Sequence, residues 1–297
     1  MLHSHILFTA SRRDLSPGLF EADPDNQRRQ TRRKMMSRAR ALFIGLLVSL
    51  GMLLVGFDSW AVDRDKLLSD PGVYGTFAAY RVDADWARLE QSARIAHLTA
   101  LKGVIEQYRE KMAIDLYLLR GLSDHADILF RVHATELKDS QQFLVDLQAS
   151  LFGKFLNTVA ILHGLTKKAN YVPGFPEPMK NDLKAPSESG PYAIVIPIRK
   201  DAEWWSLAHD KRAAMMQEHT AAALPYHKTV KRKLYHATGL DDFDFITYFE
   251  TAKLDDFQSL ILALQQVKEA KHNRRFGNPT FIGTVKSLDQ LIETLAQ

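Results

Sequence analysis

Gly121-Leu122-Ser123-Asp124, followed by Asp127-Ile128-Leu129-Phe130, returns later in the chain as Gly239-Leu240-Asp241-Asp242, followed by Asp244-Phe245-Ile246-Thr247. In both copies the second aspartate precedes a leucine by the same interval (Asp127 to Leu137, Asp244 to Leu254). Another leucine then follows at equal spacing, Leu147 or Leu264. Self-similarity of this kind marks a duplicated supersecondary unit. Outward from each copy, the apolar pattern predicts strand, helix, hairpin, helix, strand. In the first copy the strand is 73–80, the helix 89–111, the hairpin 114–119 with 128–133, and the second helix 137–151. In the second they fall at 192–198, 211–223, 230–236 with 245–250, and 254–269. This is the β-α-β-β-α-β ferredoxin-like order, an α+β class. The expected organisation is an extension and export signal over 1–61, a first ferredoxin-like half over 62–172, a Pro-, Gly- and Ser-rich linker over 173–191, and a second half over 192–297 that carries the functional site. Two such units packed sheet against sheet make a dimeric-type α+β barrel.

The formal charge of +4 is not a property of this body. Residues 1–61 hold nine Lys/Arg against five Asp/Glu, which leaves 30 of each in the remainder, so neither nucleic acid nor an anionic membrane surface is an expected partner. The basic excess, from Arg28 to Arg40, precedes the uncharged stretch 41–57 and then Ser59-Trp60-Ala61. That order of basic, apolar and small residues reads as a Sec-type leader cleaved near Ala61, which places the mature protein in the periplasm without a stable membrane anchor. An uncleaved anchor is the competing reading, at the short limit for spanning a bilayer. The 34 residues before Met35 show no apolar periodicity, so Met35 or Met36 is the expected true start. The chain has no cysteine, which excludes disulfides, thiolate metal sites and the C-x-x-C-H haem linkage.

Three residues stand out chemically. His219 lies in the helix 211–223 with Met215, Met216, Ala222 and Ala223 at helical offsets. The pattern alone favours a core histidine bonded to a backbone carbonyl. The sharper alternative is a haem ligand, since small neighbours let a flat macrocycle approach the helix. Arg232 shares a strand face with Leu234 and His236, and a hairpin centred between Leu240 and Asp241 sets Arg232 opposite Phe249 and Leu234 opposite Thr247. A guanidinium among such neighbours needs a compensating anion, unless it snorkels into water beside Lys228, Lys231 and Lys233. Glu269 is expected at a helix C-terminus, where its charge opposes the macrodipole. Either a specific partner holds it there, or it belongs to a solvated charged end with Lys268 and Lys271. The pair Trp204-Trp205 reads as core or as cofactor wall.

Lys200-Asp201-Ala202-Glu203-Trp204-Trp205, Gln217-Glu218-His219-Thr220, Val230-Lys231-Arg232-Lys233-Leu234-Tyr235-His236 and Gly239-Leu240-Asp241-Asp242 together resemble the haem half of the chlorite dismutase family, in its longer-chain lineage. The resemblance runs over nearly all of 62–297. It implies non-covalent haem b, with His219 as the proximal iron ligand through Nε2. Glu269 would accept the Nδ1 hydrogen and itself be held by Lys200. Arg232 would be the sole polar group on the distal side, with Leu234, Thr247 and Phe249 as the rest of that wall. Trp204 and Trp205 would line the haem, and Asn170, Tyr171 and Val172 would meet the propionates. The implied reaction turns chlorite, a small anion, into chloride and dioxygen through a ferryl haem and a transient hypochlorite retained by Arg232. The longer-chain members form rings of five, which is the expected assembly.

Two rivals share the scaffold. Coproheme decarboxylases generally lack the distal arginine and use a tyrosine next to a proline, where this chain has Ile196-Pro197. A leader for export also sits badly with a cytoplasmic biosynthetic step. A non-catalytic haem carrier or sensor is the third reading.

Overall fold

The computed structural model describes residues 61–168 and 190–297. The chain divides into two units, Met1–Asp58 and Ser59–Gln297, and every described residue belongs to the second. The leader, the true start, Asn170, Tyr171, Val172 and most of the linker 173–191 lie outside the described residues. No helix among the described residues is long and apolar enough to cross a membrane.

A short helix α1 (Arg64–Ser69) precedes the first repeat: β1 (Tyr74–Val82), α2 (Gln91–Glu106), β2 (Met112–Leu118), β3 (Ile128–Ala134), α3 (Leu137–Ala149) and β4 (Leu156–Leu165). The second repeat runs β5 (Tyr192–Lys200), α4 (Ala202–Ser206), α5 (His209–Ala223), β6 (Val230–His236), β7 (Phe245–Thr251) and α6 (Leu254–Gln265). It closes with β8 (Asn273–Phe276), β9 (Phe281–Lys286) and α7 (Leu288–Leu295). The repeated Gly and Asp signature has a physical basis. Gly121 and Gly239 turn the hairpins at φ of +85° and +81°, a region open to glycine at no steric cost. Asp127 and Asp244 each reach back to the first strand of their own repeat, where Asp127 Oδ2 accepts from Val82 N and Asp244 Oδ2 from Lys200 N, both at 2.7 Å.

Within each repeat the strand order is that of a ferredoxin-like unit, β4-β1-β3-β2 and β9-β5-β7-β6. The two sheets join edge to edge, β4 to β6 and β2 to β9, so eight antiparallel strands close on themselves while β8 flanks β5. Joining through the edges completes the expected barrel, although the β4–β6 seam is a single pair, Leu165 with His236. The central strands β1 and β3 are buried on both faces, whereas β4 leaves Asn157, Thr158 and Val159 exposed. The interior holds Phe77, Tyr117, Tyr235, Ile246, Tyr248 and Phe281, while the outer faces pack under the helices of each repeat.

One expected boundary moves in a way that bears on the site. The helix expected over 254–269 stops at Gln265, and Glu269 sits in a separate 3-10 turn, Lys268–His272, so the helix-dipole argument about this residue does not apply. The last helix, α7, packs Leu291 and Leu295 into the core of the first repeat, where Trp86 Nε1 donates to Leu295 O at 2.8 Å. The C-terminus thus covers the half of the barrel opposite the site.

Candidate active site

The outer face of the second repeat is not filled. Between β5, β6, β7 and helices α4 and α5 lies a cavity of about 570 Å³, within the roughly 300–1,000 Å³ typical of small-molecule sites. Ala213, Met216 and His219 enter it from α5 at helical spacing. Arg232 and Leu234 enter from β6, and Thr247 and Phe249 from β7. The strand register is the expected one: Arg232 pairs with Phe249, and Leu234 with Thr247.

His219 is held through Nδ1, which lies 3.3 Å from Glu269 Oε2. Glu269 is 6% exposed. Its other oxygen contacts the Lys200 ammonium, which also donates to Asn273 Oδ1 at 2.7 Å and lies 4.5 Å from the centre of the Trp204 ring. With Nδ1 donating to a carboxylate, Nε2 is the nitrogen left with a lone pair for the cavity. Burial, reinforced by the charges of Arg232 and Lys200, pulls the imidazole pKa down to about 3, so the ring is neutral at ordinary pH. Burial also pulls Lys200 down to about 7, against the carboxylates of Asp201 and Asp244. Because Lys200 and Glu269 touch, a proton moving between them leaves the pair's net charge unchanged. Glu269 is therefore a buried, partnered carboxylate, and the solvated helix end considered for it does not occur.

Trp204 is buried against Lys200 and His272. Trp205 is 45% exposed and stacks on Phe245 at 6.1 Å between ring centres, and Phe245 in turn meets His236 edge-on at 5.3 Å. Both tryptophans line the cavity. Sequence reasoning assigned no role to several other lining residues. His236 continues the Arg232 face toward Lys167, and burial with that lysine's charge lowers its pKa to about 4. Phe276 comes from β8, and Leu68 and Pro71 from the end of α1 and the segment after it. The period-2 pattern of β6 had already put His236 on the Arg232 face, though without a role. Nothing local in the sequence marks Leu68 or Phe276.

The first repeat shows what the same outer face looks like without a site. Where β6 and β7 pair Arg232 with Phe249 and Leu234 with Thr247, β2 and β3 pair Ile114 with Val132 and Leu116 with Phe130. Leu101, 0% exposed, stands eleven residues before Met112, as His219 stands eleven before Val230. Side chains occupy the space, and α7 seals it.

The second repeat thus offers a largely apolar pocket, the neutral His219 imidazole with a carboxylate behind it, the Arg232 guanidinium on the same cavity, and no cysteine for covalent attachment. This donor set suits a flat, apolar, metal-centred group held without a covalent bond, the arrangement of a non-covalently bound haem. Fold and site define a duplicated α+β barrel with a cofactor pocket in its second repeat. The chain belongs to the chlorite dismutase family: a family model described as chlorite dismutase matches residues 94–286. The chlorite dismutase of Ideonella dechloratans is 40% identical over 239 residues, covering 79% of this chain and 84% of that protein. A solved chlorite dismutase from Candidatus Nitrospira defluvii, in complex with imidazole, is 57% identical and superposes with a TM-score of 0.75 over 80% of this chain and all of that one. A coproheme decarboxylase of Mycolicibacterium smegmatis is more distant, 28% identical over 185 residues, 61% of this chain and 76% of that protein. A heme-binding protein from Thermus thermophilus, 19% identical with a TM-score of 0.66, covers 77% of this chain and 96% of that one and shares the fold.

Proposed function

We propose that this protein converts chlorite to chloride and dioxygen, with haem b bound non-covalently between His219 and Arg232. The observation that carries the reading is the placement of these two groups on one apolar cavity, with Glu269 and Lys200 supporting the imidazole. When bound, the haem iron supplies the centre that accepts an oxygen atom from chlorite. The remaining work belongs to the chain. His219 presents Nε2 in a fixed tautomer, because Glu269 takes the Nδ1 hydrogen, and Lys200 keeps Glu269 in place. Arg232 keeps its positive charge at any working pH and attracts a monoanion by about 4 kcal/mol at 4 Å under an effective dielectric of 20. The same charge would hold a chlorine oxyanion within the cavity and slow its escape into water. Leu234, Phe249 and the methyl of Thr247 offer no competing anion site and limit water around the guanidinium.

Ile196 favours this activity over decarboxylation. It is buried, pairs with Thr247, and offers no phenol at the position where the decarboxylases are expected to carry one. The leader order in 1–61 supports export and a periplasmic location, and the family resemblance supports a homopentamer.

The test is oxygen evolution by the haem-loaded protein on an oxygen electrode, with Arg232→Ala as comparison. The proposal expects oxygen from the wild type, and a lower total yield with faster loss of haem absorbance in the variant. No oxygen from a fully haem-loaded wild type overturns the activity, and an unchanged yield in the variant overturns the role of Arg232.

A further inference from the structure

Behind the contact between Lys200 and Glu269 lies a second pair that the mechanism above does not use. His272 ends the 3-10 turn that carries Glu269, and it is 1% exposed. Its Nδ1 lies 3.1 Å from both carboxylate oxygens of Asp201, and its carbonyl accepts from Asp201 N at 2.9 Å. Its Nε2 is buried with no hydrogen-bond partner. A buried orphan nitrogen costs stability that an apolar ring of similar shape would not. The bond from Nδ1 to Asp201 is therefore what a histidine adds at this position. Asp201 directly follows Lys200, so both supports of His219 sit beside this pair along the chain. Asp201 Oδ1 also accepts from Trp204 N at 2.7 Å, capping α4 and seating the Trp204 ring between Lys200 and His272.

We propose that Asp201 and His272 are positioning residues: they clamp the turn 268–272 to the end of β5 and hold the Glu269 carboxylate at the distance from His219 Nδ1 that sets how strongly the imidazole donates to iron. The proposal rests on the reading of His219 as the iron ligand. His272 itself is fixed to Asp201 twice, through its carbonyl and through Nδ1, just ahead of the pairing of Asn273 with Lys200, and Glu269 lies three residues away in the same five-residue turn. Without the side-chain bond this end of the turn is held by its backbone bond and by the pairing of Asn273 with Lys200, and the long contact between His219 and Glu269 has room to lengthen.

The experiment uses the full, haem-loaded protein with three substitutions. His272→Phe fills the same space without the Nδ1 donor. Asp201→Ser keeps an oxygen for the α4 cap but is too short for His272. Asp201→Asn keeps an acceptor for both Trp204 N and His272 Nδ1 while removing the charge. The readouts are the ferric/ferrous reduction potential and the iron–imidazole stretching frequency of the ferrous protein. We expect His272→Phe and Asp201→Ser to raise the potential and lower the stretching frequency, and Asp201→Asn to match the wild type. Wild-type values in both His272→Phe and Asp201→Ser would overturn the clamp. A shift in Asp201→Asn equal to that in Asp201→Ser would also overturn it, because the carboxylate charge would then be the active property. Should His272→Phe fail to fold, the two Asp201 variants decide by the same rule. A wild type with no iron–imidazole stretch would instead overturn the ligand assignment beneath the proposal.

Discussion

Asp115→Ala should destabilise the protein by about 3–5 kcal/mol, the usual cost of leaving one member of a buried ion pair without its partner. The cost follows from what surrounds this carboxylate inside the barrel. Asp115 Oδ2 accepts from Arg131 Nε at 3.0 Å and from Nη2 at 2.7 Å, and Arg64 Nη2 reaches both oxygens at 2.7 and 2.9 Å. Arg64 is part-exposed and can turn to water, but Arg131 is 0% exposed. Its guanidinium would keep chiefly the face of Tyr248, 3.9 Å from the ring centre, as compensation. With 1 kcal/mol worth about 2–4 °C for 150–250 residues, the melting temperature should fall by roughly 6–20 °C. Differential scanning calorimetry and urea denaturation of the apo protein measure it. The double variant Asp115→Leu/Arg131→Met should recover most of the loss, because matched apolar groups replace a buried ion pair at little cost. A loss below about 1 kcal/mol in the single variant would refute the reasoning, as would a double variant no better than the single. Tyr235 and Tyr248 line the same interior one residue from Leu234 and Thr247, so the measurement also reports on what backs the cavity wall.

Four further outcomes are expected. His219→Ala should lose tight haem binding in an absorbance titration, and wild-type affinity with an unchanged ferric spectrum would remove it as the ligand. Glu269→Gln should raise the iron reduction potential, since a neutral amide withdraws the carboxylate's support from Nδ1; an unchanged potential would return Glu269 to a purely structural role. Gly75→Ala should cost about 1–3 kcal/mol, because an added Cβ would press into the ring of the fully buried Tyr235, and a neutral result in urea denaturation would contradict that packing. The apo protein should weaken as pH falls below about 6.5. His219 and His236 titrate near 3 and 4 when folded but near 6.5 when unfolded, so the unfolded chain binds more protons in that window. A urea midpoint independent of pH between about 7 and 5 would contradict those depressed values.

Much of the architecture was legible because the chain repeats itself. Glycine at a positive-φ turn and an aspartate reaching back to the first strand are local requirements, and both leave a mark at fixed spacing. The pairing of β6 with β7 followed from the turn at Gly239, and it put Arg232 opposite Phe249 as expected. What was not legible depends on closure. Strands buried on both faces lose the polar alternation that reveals which face is which, so Arg131, Asp115 and Tyr248 gave no sign of a common interior. The end of α6 was misread because Val267, Glu269 and Ala270 continue a helical composition, while the chain breaks into a 3-10 turn that aims Glu269 at His219. The cavity rim at Leu68 and Pro71 joins residues far apart in sequence, and no spacing predicts such a meeting.

The most direct measurement gives the haem-loaded wild-type protein chlorite labelled with heavy oxygen, in unlabelled water, and follows the dioxygen released by mass spectrometry. A pocket in which Arg232 keeps the oxyanion beside the haem held by His219 predicts one dioxygen per chlorite, both of its atoms labelled. Dioxygen carrying one atom from water, or no dioxygen at all while chlorite is consumed, would contradict it.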